Sequence, residues 1–322
     1  MKMKKMKIKR FLPLLFAVLS FSACKVESEN IFTMFDDIEV TFHSNSQYAI
    51  VEDAVVNDGD SVHIYFTVTS ANEDMYSVVV DSTNGTGTWS TAIIRTAENE
   101  RRSFSGVRKF KMQRDGKMTF RFFARDFKDE YLGDGYTSIT VDARPSYRHI
   151  VNRRLYAPVE DDLDRPSFLS LSSGETYSYN SGNPFSSTID FGIDTMFTTD
   201  ANNPTELVYN LYSLSVDDYP VPYYDLSGWE KRETLFSAPR YNYSNTDYTR
   251  ILVSASRIEE EARKVTIDRT QTDATLHTQG LRAGTLLYFL TPEGKYGTLY
   301  VTQATQDKDG RPYINVHVKI QN

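Results

Sequence analysis

The stretch SVHIYFTVTS, residues 61–70, puts Val62, Ile64, Phe66 and Val68 on one side of an extended chain, with mostly polar side chains on the other. A period of two fits a strand buried on one face; a helix would need apolar residues every three or four positions. The same alternation runs through IEVTFHS (38–44), MYSVVVDS (75–82), KMTFRFFARD (117–126) and YTSITVDA (136–143), all rich in β-branched and aromatic residues. Turn-forming clusters separate them: NDGD at 57–60, STNGTGT at 82–88, RDGK at 114–117 and LGDGY at 132–136. Short strands joined by tight turns predict an antiparallel sandwich of immunoglobulin-like type over residues 36–143. Trp89 has no cysteine pair around it, so the disulfide-and-tryptophan core of antibody domains is absent.

Residues 144–166, RPSYRHIVNRRLYAPVEDDLDRP, interrupt the pattern with three prolines and a change from basic to acidic, and read as a linker. Strands resume at SFLSLSSGETYSY (167–179) and SSTIDFGIDTMF (186–197). The chain then closes in a three-stranded meander, 285–291, 296–304 and 312–320, with turns at PEGK and DKDG. One helix stands out near 254–264, where Ser256 and Glu259 match a capping box. The expected fold class is mainly β: an immunoglobulin-like sandwich, the linker, and a β-rich, sandwich-like domain over 167–322 carrying one short helix.

The N-terminus has a different character. Residues 1–10 hold six basic residues and no acid, residues 11–21 are apolar apart from Ser20, and Ser22 and Ala23 lead into Cys24, the single cysteine. The apolar run is shorter than the about 20 residues a spanning helix needs and suits an export signal. This segment resembles the lipobox of bacterial lipoproteins, with Phe21 where leucine is usual. The resemblance implies cleavage after residue 23, a lipid on Cys24 and a tether over 24–35. A lone thiol ahead of any folded segment suits neither a disulfide nor a catalytic site. Removing the signal leaves 30 Lys and Arg against 43 Asp and Glu, which takes the net charge from −7 to −13. An acidic chain lacks the basic surface that nucleic acid requires, so no nucleic-acid partner is expected.

The ordered set FLSLSSGETYSY, STIDFGIDTMF, LSGWEKRETLFSAPRY, a short helix, then GTLLYFLTPEGKYGTLYVT is similar to a recurrent domain of Bacteroidetes surface lipoproteins. It implies an outer-membrane, surface-exposed location, with a periplasm-facing one as the alternative, and brings no catalytic residues. Lys25, Glu27 and Glu29 resemble the charged patch that routes some of those proteins to the outer face.

Candidate chemistry is sparse. His43, His63, His149, His277 and His317 are scattered without zinc-ligand spacing, so no metal site is assigned. Asp307 and Asp309 in DKDG, and the acids of EDDLD (160–164), are fragments of calcium loops without their remaining ligands. Neither a G-x-S-x-G elbow nor a phosphate loop occurs, and no cofactor or catalytic residue is expected. The remaining feature is aromatic: Tyr219, Tyr223, Tyr224, Trp229, Tyr241, Tyr243 and Tyr248 lie among Asp, Asn, Ser and Arg. Rings flanked by hydrogen-bonding groups suit stacking on sugars; they equally suit the core and edge of a β fold. In the resembled domain, Trp229 falls at a recurring position, which favours packing. The expectation is a non-enzymatic, lipid-anchored binding module capturing glycan or peptide through these residues. The alternative is a structural or adhesin subunit of a surface assembly, with a glycoside hydrolase ranked below both.

Overall fold

A computed structural model of the chain describes residues 38–85, 87–197, 207–272 and 280–322. The expected signal segment and tether, with Cys24, and His277 lie outside the described residues. The fold is mainly β, 48% strand against 10% helix. Among the described residues no helix is long and apolar enough to cross a membrane.

The N-terminal domain is a sandwich of eight strands: β1 (Ile38–His43), β2 (Ala54–Val56), β3 (Ser61–Ser70), β4 (Ser77–Thr83), β5 (Trp89–Arg95), β6 (Ser103–Lys111), β7 (Gly116–Arg125) and β8 (Tyr131–Ala143). One sheet has the order β1-β3-β6 and the other β2-β8-β7-β4-β5, with β2 parallel to β8 and the remaining pairs antiparallel. This is the immunoglobulin-like arrangement. Every second residue of β3 is buried, as its alternation requires: Val62, Ile64, Phe66 and Val68 meet Val78, Val80, Phe120, Phe122, Ile139 and Val141 of the facing sheet. Each fully buried Val or Phe contributes roughly 1.5–3 kcal/mol. Strand β6 admits glycine at position 106 because a Cβ there would lie 2.7 Å from the Phe66 ring.

The linker expectation is corrected. Residues 147–156 form β9 (Tyr147–Tyr156), an edge strand paired from Tyr147↔Gln321 to Tyr156↔Tyr313. Arg148, Arg153 and Arg154 gave the segment a polar, connector-like look, yet charged side chains are what an edge strand carries to deter further pairing. Only residues 144–146 separate the two domains' strands.

The C-terminal domain stacks two sheets. The first has the order β11-β10-β12-β13, built from β10 (Phe168–Leu169), β11 (Thr176–Tyr177), β12 (Phe191–Phe197) and β13 (Leu207–Ser213). The second has the order β15-β14-β16-β17-β18-β9, with β14 (Leu235–Ser237), β15 (Ile267–Arg269), β16 (Thr285–Leu290), β17 (Tyr296–Gln306) and β18 (Pro312–Gln321). Leu169, Phe191, Ile193 and Leu211 of the first face Leu287, Phe289, Leu299, Ile314 and Val316 of the second, forming the central core. The meander matches its expectation closely. The stretch 167–179 does not form one strand: Gly174, at φ 76°, turns it into two two-residue strands. Residues 183–188 form a 3-10 turn ahead of β12.

Among the described residues the expected single helix is one of three short α-helical segments, α1 (Tyr179–Gly182), α2 (Asn245–Arg250) and α3 (Ala255–Ala262). Its cap is Ser254, whose hydroxyl accepts from the Arg257 amide, and not Ser256. Ser256 is taken by the other domain: its amide and hydroxyl donate to the Asp58 carboxylate at 2.5 and 2.7 Å. Beside it the Asp115 amide donates to the Val253 carbonyl, the Asp115 carboxylate accepts from the Ser146 amide and hydroxyl, and Gln113 donates to Glu260. These bonds make a polar seam between the domains.

Candidate functional site

The aromatic residues singled out in the sequence do not share a surface. Trp229 and Tyr224 are 6% and 4% exposed and pack with Phe168, Tyr212 and Leu226 outside the four-stranded sheet. The Tyr224 ring stacks on Tyr179 at 4.7 Å, and Trp229 closes over Gly182, where a Cβ would lie 2.4 Å from the indole. Tyr219 and Tyr223 border this cluster; the Tyr219 hydroxyl donates to the Leu214 carbonyl at 2.8 Å, and burial pushes the Tyr223 hydroxyl up to about 12. Tyr248 and Tyr243 belong to another core, where α2 and α3 cover the outer face of the six-stranded sheet. Tyr241 stands apart under the Arg282 guanidinium, 5.1 Å away. The central core lies between the two groups, so the expected single recognition surface is not formed and packing accounts for most of these rings.

Sequence reasoning missed what lies beneath the first cluster. Asp194 and Asn210 face each other across β12 and β13, with Tyr212 two residues further on the same face. All three are at least nine-tenths buried, and both side-chain polar atoms of Asn210 and the Tyr212 hydroxyl have no hydrogen-bond partner. Burial pushes the Asp194 carboxyl up to about 6, opposed by the Thr195 amide.

The scattered histidines are partly brought together. His149 and His317 lie 5.8 Å apart on β9 and β18, with His317 bonded to Asn152 at 2.9 Å. Their neighbour is the ammonium of Lys319, which repels a cation, and no metal-holding group of His, Cys, Asp or Glu occurs among the described residues. In the DKDG turn, Asp307 accepts from the Asp309 and Arg311 amides and the Arg311 guanidinium. In EDDLD, Asp162 pairs with Arg165 and Asp164 accepts from Asn180.

An exposed constellation occupies the outer face of the five-stranded sheet in the N-terminal domain. Register places Trp89 beside Thr83, Thr91 beside Asp81, and Asp81 beside Arg121, all pointing away from the sandwich core. The Arg121 guanidinium lies 3.5 Å from the Trp89 ring centre and 4.8 Å from that of Tyr136, and it donates to Asp81 at 3.0 Å. The Thr91 hydroxyl holds the other Asp81 oxygen at 2.6 Å. Next along the face, Phe123 stacks on Tyr131 at 4.5 Å with Arg125 beside both rings. Tyr136, Tyr131 and Ile93 are each about half exposed, and Trp89 is 36% exposed. The Nε groups of Arg121 and Arg125 are buried without partners. Apolar residues left on the polar side of the alternation, Trp89, Ile93 and Tyr136, were the sequence signal for this face.

This face pairs the Thr91 hydroxyl with the Asp81 carboxylate, which Arg121 also holds. Its residues are those that dominate protein interfaces: tryptophan, tyrosine and arginine. Cation–π contacts at exposed sites contribute roughly 0.5–1 kcal/mol, enough to favour these ring orientations.

No family model matches the chain, and no curated protein matches it. Solved structures give faint likeness only. An engineered protein is 18% identical over 33% of this chain and 20% of its own, at a TM-score of 0.20. A Niemann-Pick type C2 protein from the Japanese carpenter ant is 9% identical over 34% of this chain and 91% of its own, at 0.19. The cycloalternan-degrading enzyme of Trueperella pyogenes is 8% identical over 82% of this chain, at 0.20; the chain spans about a third of that enzyme's length.

Proposed function

We propose that this chain is a non-catalytic, lipid-anchored envelope protein that docks a protein partner on the outer face of its N-terminal five-stranded sheet. The carrying observation is the Trp89–Arg121–Tyr136 stack, braced by Asp81 and continued by Ile93 and Tyr131. An exposed face rich in hot-spot residue types suits a protein surface, whereas glycan capture by Tyr224 and Trp229 would require rings that are buried to turn outward. The anchor rests on the likeness of the segment before Cys24 to a lipobox.

Two measurements test this. A photoreactive residue at position 93 should yield one discrete adduct in intact cells, lost in Trp89→Ala/Tyr136→Ala; no adduct, or an unchanged one, refutes the docking face. Cys24→Ser should stop acyl labelling and release the protein from membranes, and continued labelling refutes the anchor.

A further inference from the structure

We infer that a pocket at the seam between the two domains binds a tetrahedral oxyanion, a phosphate or sulfate group, between Arg114 and Arg250. The pocket holds about 300 Å³ and is lined by these two arginines from different domains together with Ser82, Thr83, Asn84, Thr88 and Ser90. None of its lining residues is acidic, although the whole chain has a net charge of −7. Neither guanidinium has a carboxylate within ion-pair distance among the described residues.

Two further observations point to an anion. Arg114 spends one N–H on the Arg250 carbonyl at 3.0 Å, which brings the two arginine-bearing segments together. Positive charge also accumulates behind the pocket: Arg114 lowers the proton affinity of buried Lys319, and burial holds Arg114 itself below the usual arginine range with only Tyr147 pulling the other way. An oxyanion would neutralise the pair, accept from the hydroxyls and bridge the domains. Arginine's planar fork is suited to that geometry. The volume sits at the lower end of small-molecule sites, about 300–1,000 Å³, leaving room for more than a bare ion.

The test is calorimetric titration of the purified full chain with sodium phosphate and with sodium sulfate, against sodium chloride at matched ionic strength. Saturable binding of phosphate or sulfate is expected, weakened at least tenfold in Arg114→Gln/Arg250→Gln and unchanged in Arg95→Gln. If the double variant fails to fold, Ser90→Asp serves instead, since it places a carboxylate at the pocket and leaves both arginines intact; it should abolish binding. Glycerol 3-phosphate and N-acetylglucosamine 6-sulfate separate the sources. Tighter binding of either identifies an ester-bearing ligand, and equal binding identifies the free ion. No saturation beyond chloride, undiminished binding in the folded double variant or Ser90→Asp, or an equal loss in Arg95→Gln overturns the assignment.

Discussion

The Asp58 carboxylate accepts from both the amide and the hydroxyl of Ser256, 198 residues further along the chain. One residue of the N-terminal sandwich thus satisfies a donor in the first turn of α3, where a negative charge also complements the helix dipole. Asp58→Ala should lower stability by about 1–2 kcal/mol, the usual range for losing such a cap. Urea unfolding followed separately by fluorescence of Trp89 and Trp229, one in each domain, should show the two transitions drifting apart. Coincident transitions at wild-type midpoint would mean the seam contributes nothing.

Lys319 should make the protein more stable as pH rises from 8 to 10. Its side chain is 2% exposed and donates to the Tyr248 and Leu252 carbonyls at 2.8 and 2.7 Å, and burial, aided by Arg114, brings its ammonium down to about 8. Between that value and the unfolded-chain value of 10.5, the unfolded chain holds a proton the folded one has released, so alkalinity favours folding. The gain should reach about 1–3 kcal/mol and vanish in Lys319→Met. Above pH 10 the raised hydroxyls of Tyr212, Tyr248 and Tyr288 act in the opposite sense, so the window closes there. Chemical denaturation at pH 7, 8, 9 and 10 reads the slope directly.

Asp194 predicts the reverse. Its folded carboxyl, near 6, lies above the ordinary 3.8, so the folded chain holds the extra proton in that interval and stability falls as pH rises from 4 to 6. Above 6 the full penalty of an ionised, buried carboxylate persists. Asp194→Asn should therefore be more stable than wild type at pH 7 by about 1–3 kcal/mol and close to it at pH 4. A denaturation series in which the two proteins run parallel would disprove this.

Trp89→Ala and Tyr136→Ala should leave stability within about 1 kcal/mol, because both rings are partly or largely exposed and lose mainly a cation–π contact with Arg121. Phe66→Ala on the opposite, inner side of the same sandwich should lose about 3–5 kcal/mol. Thermal melts of the three variants separate an exposed face from one used for folding.

Strand β3 is legible because a strict period of two over ten residues fixes both element and buried face, and the meander β16–β18 because short apolar runs are punctuated by the PEGK and DKDG turns. Strand β9 was hidden by its own edge: Arg148, Arg153 and Arg154 give it the composition of a connector, and its pairing with β18 is more than 150 residues distant in sequence. The cap of α3 was misplaced by two residues because Ser256 answers to Asp58, a tertiary partner no local pattern reveals. The aromatic residues at 219–248 were visible as a group, but the sheets that part them into two cores were not. The seam pocket joins β4, β5 and α2, so only the folded chain brings Arg114 to Arg250.

The three-residue joint at 144–146, with Ser146 clamped by Asp115, has a mechanical consequence. A flexible tether would let the two halves sample a wide cone and lower the chance of meeting anything at a fixed height. A pinned hinge instead transmits torque, so the sandwich and the sheets behind it turn as a single lever. Whatever grips one end therefore sets the direction in which the other end points.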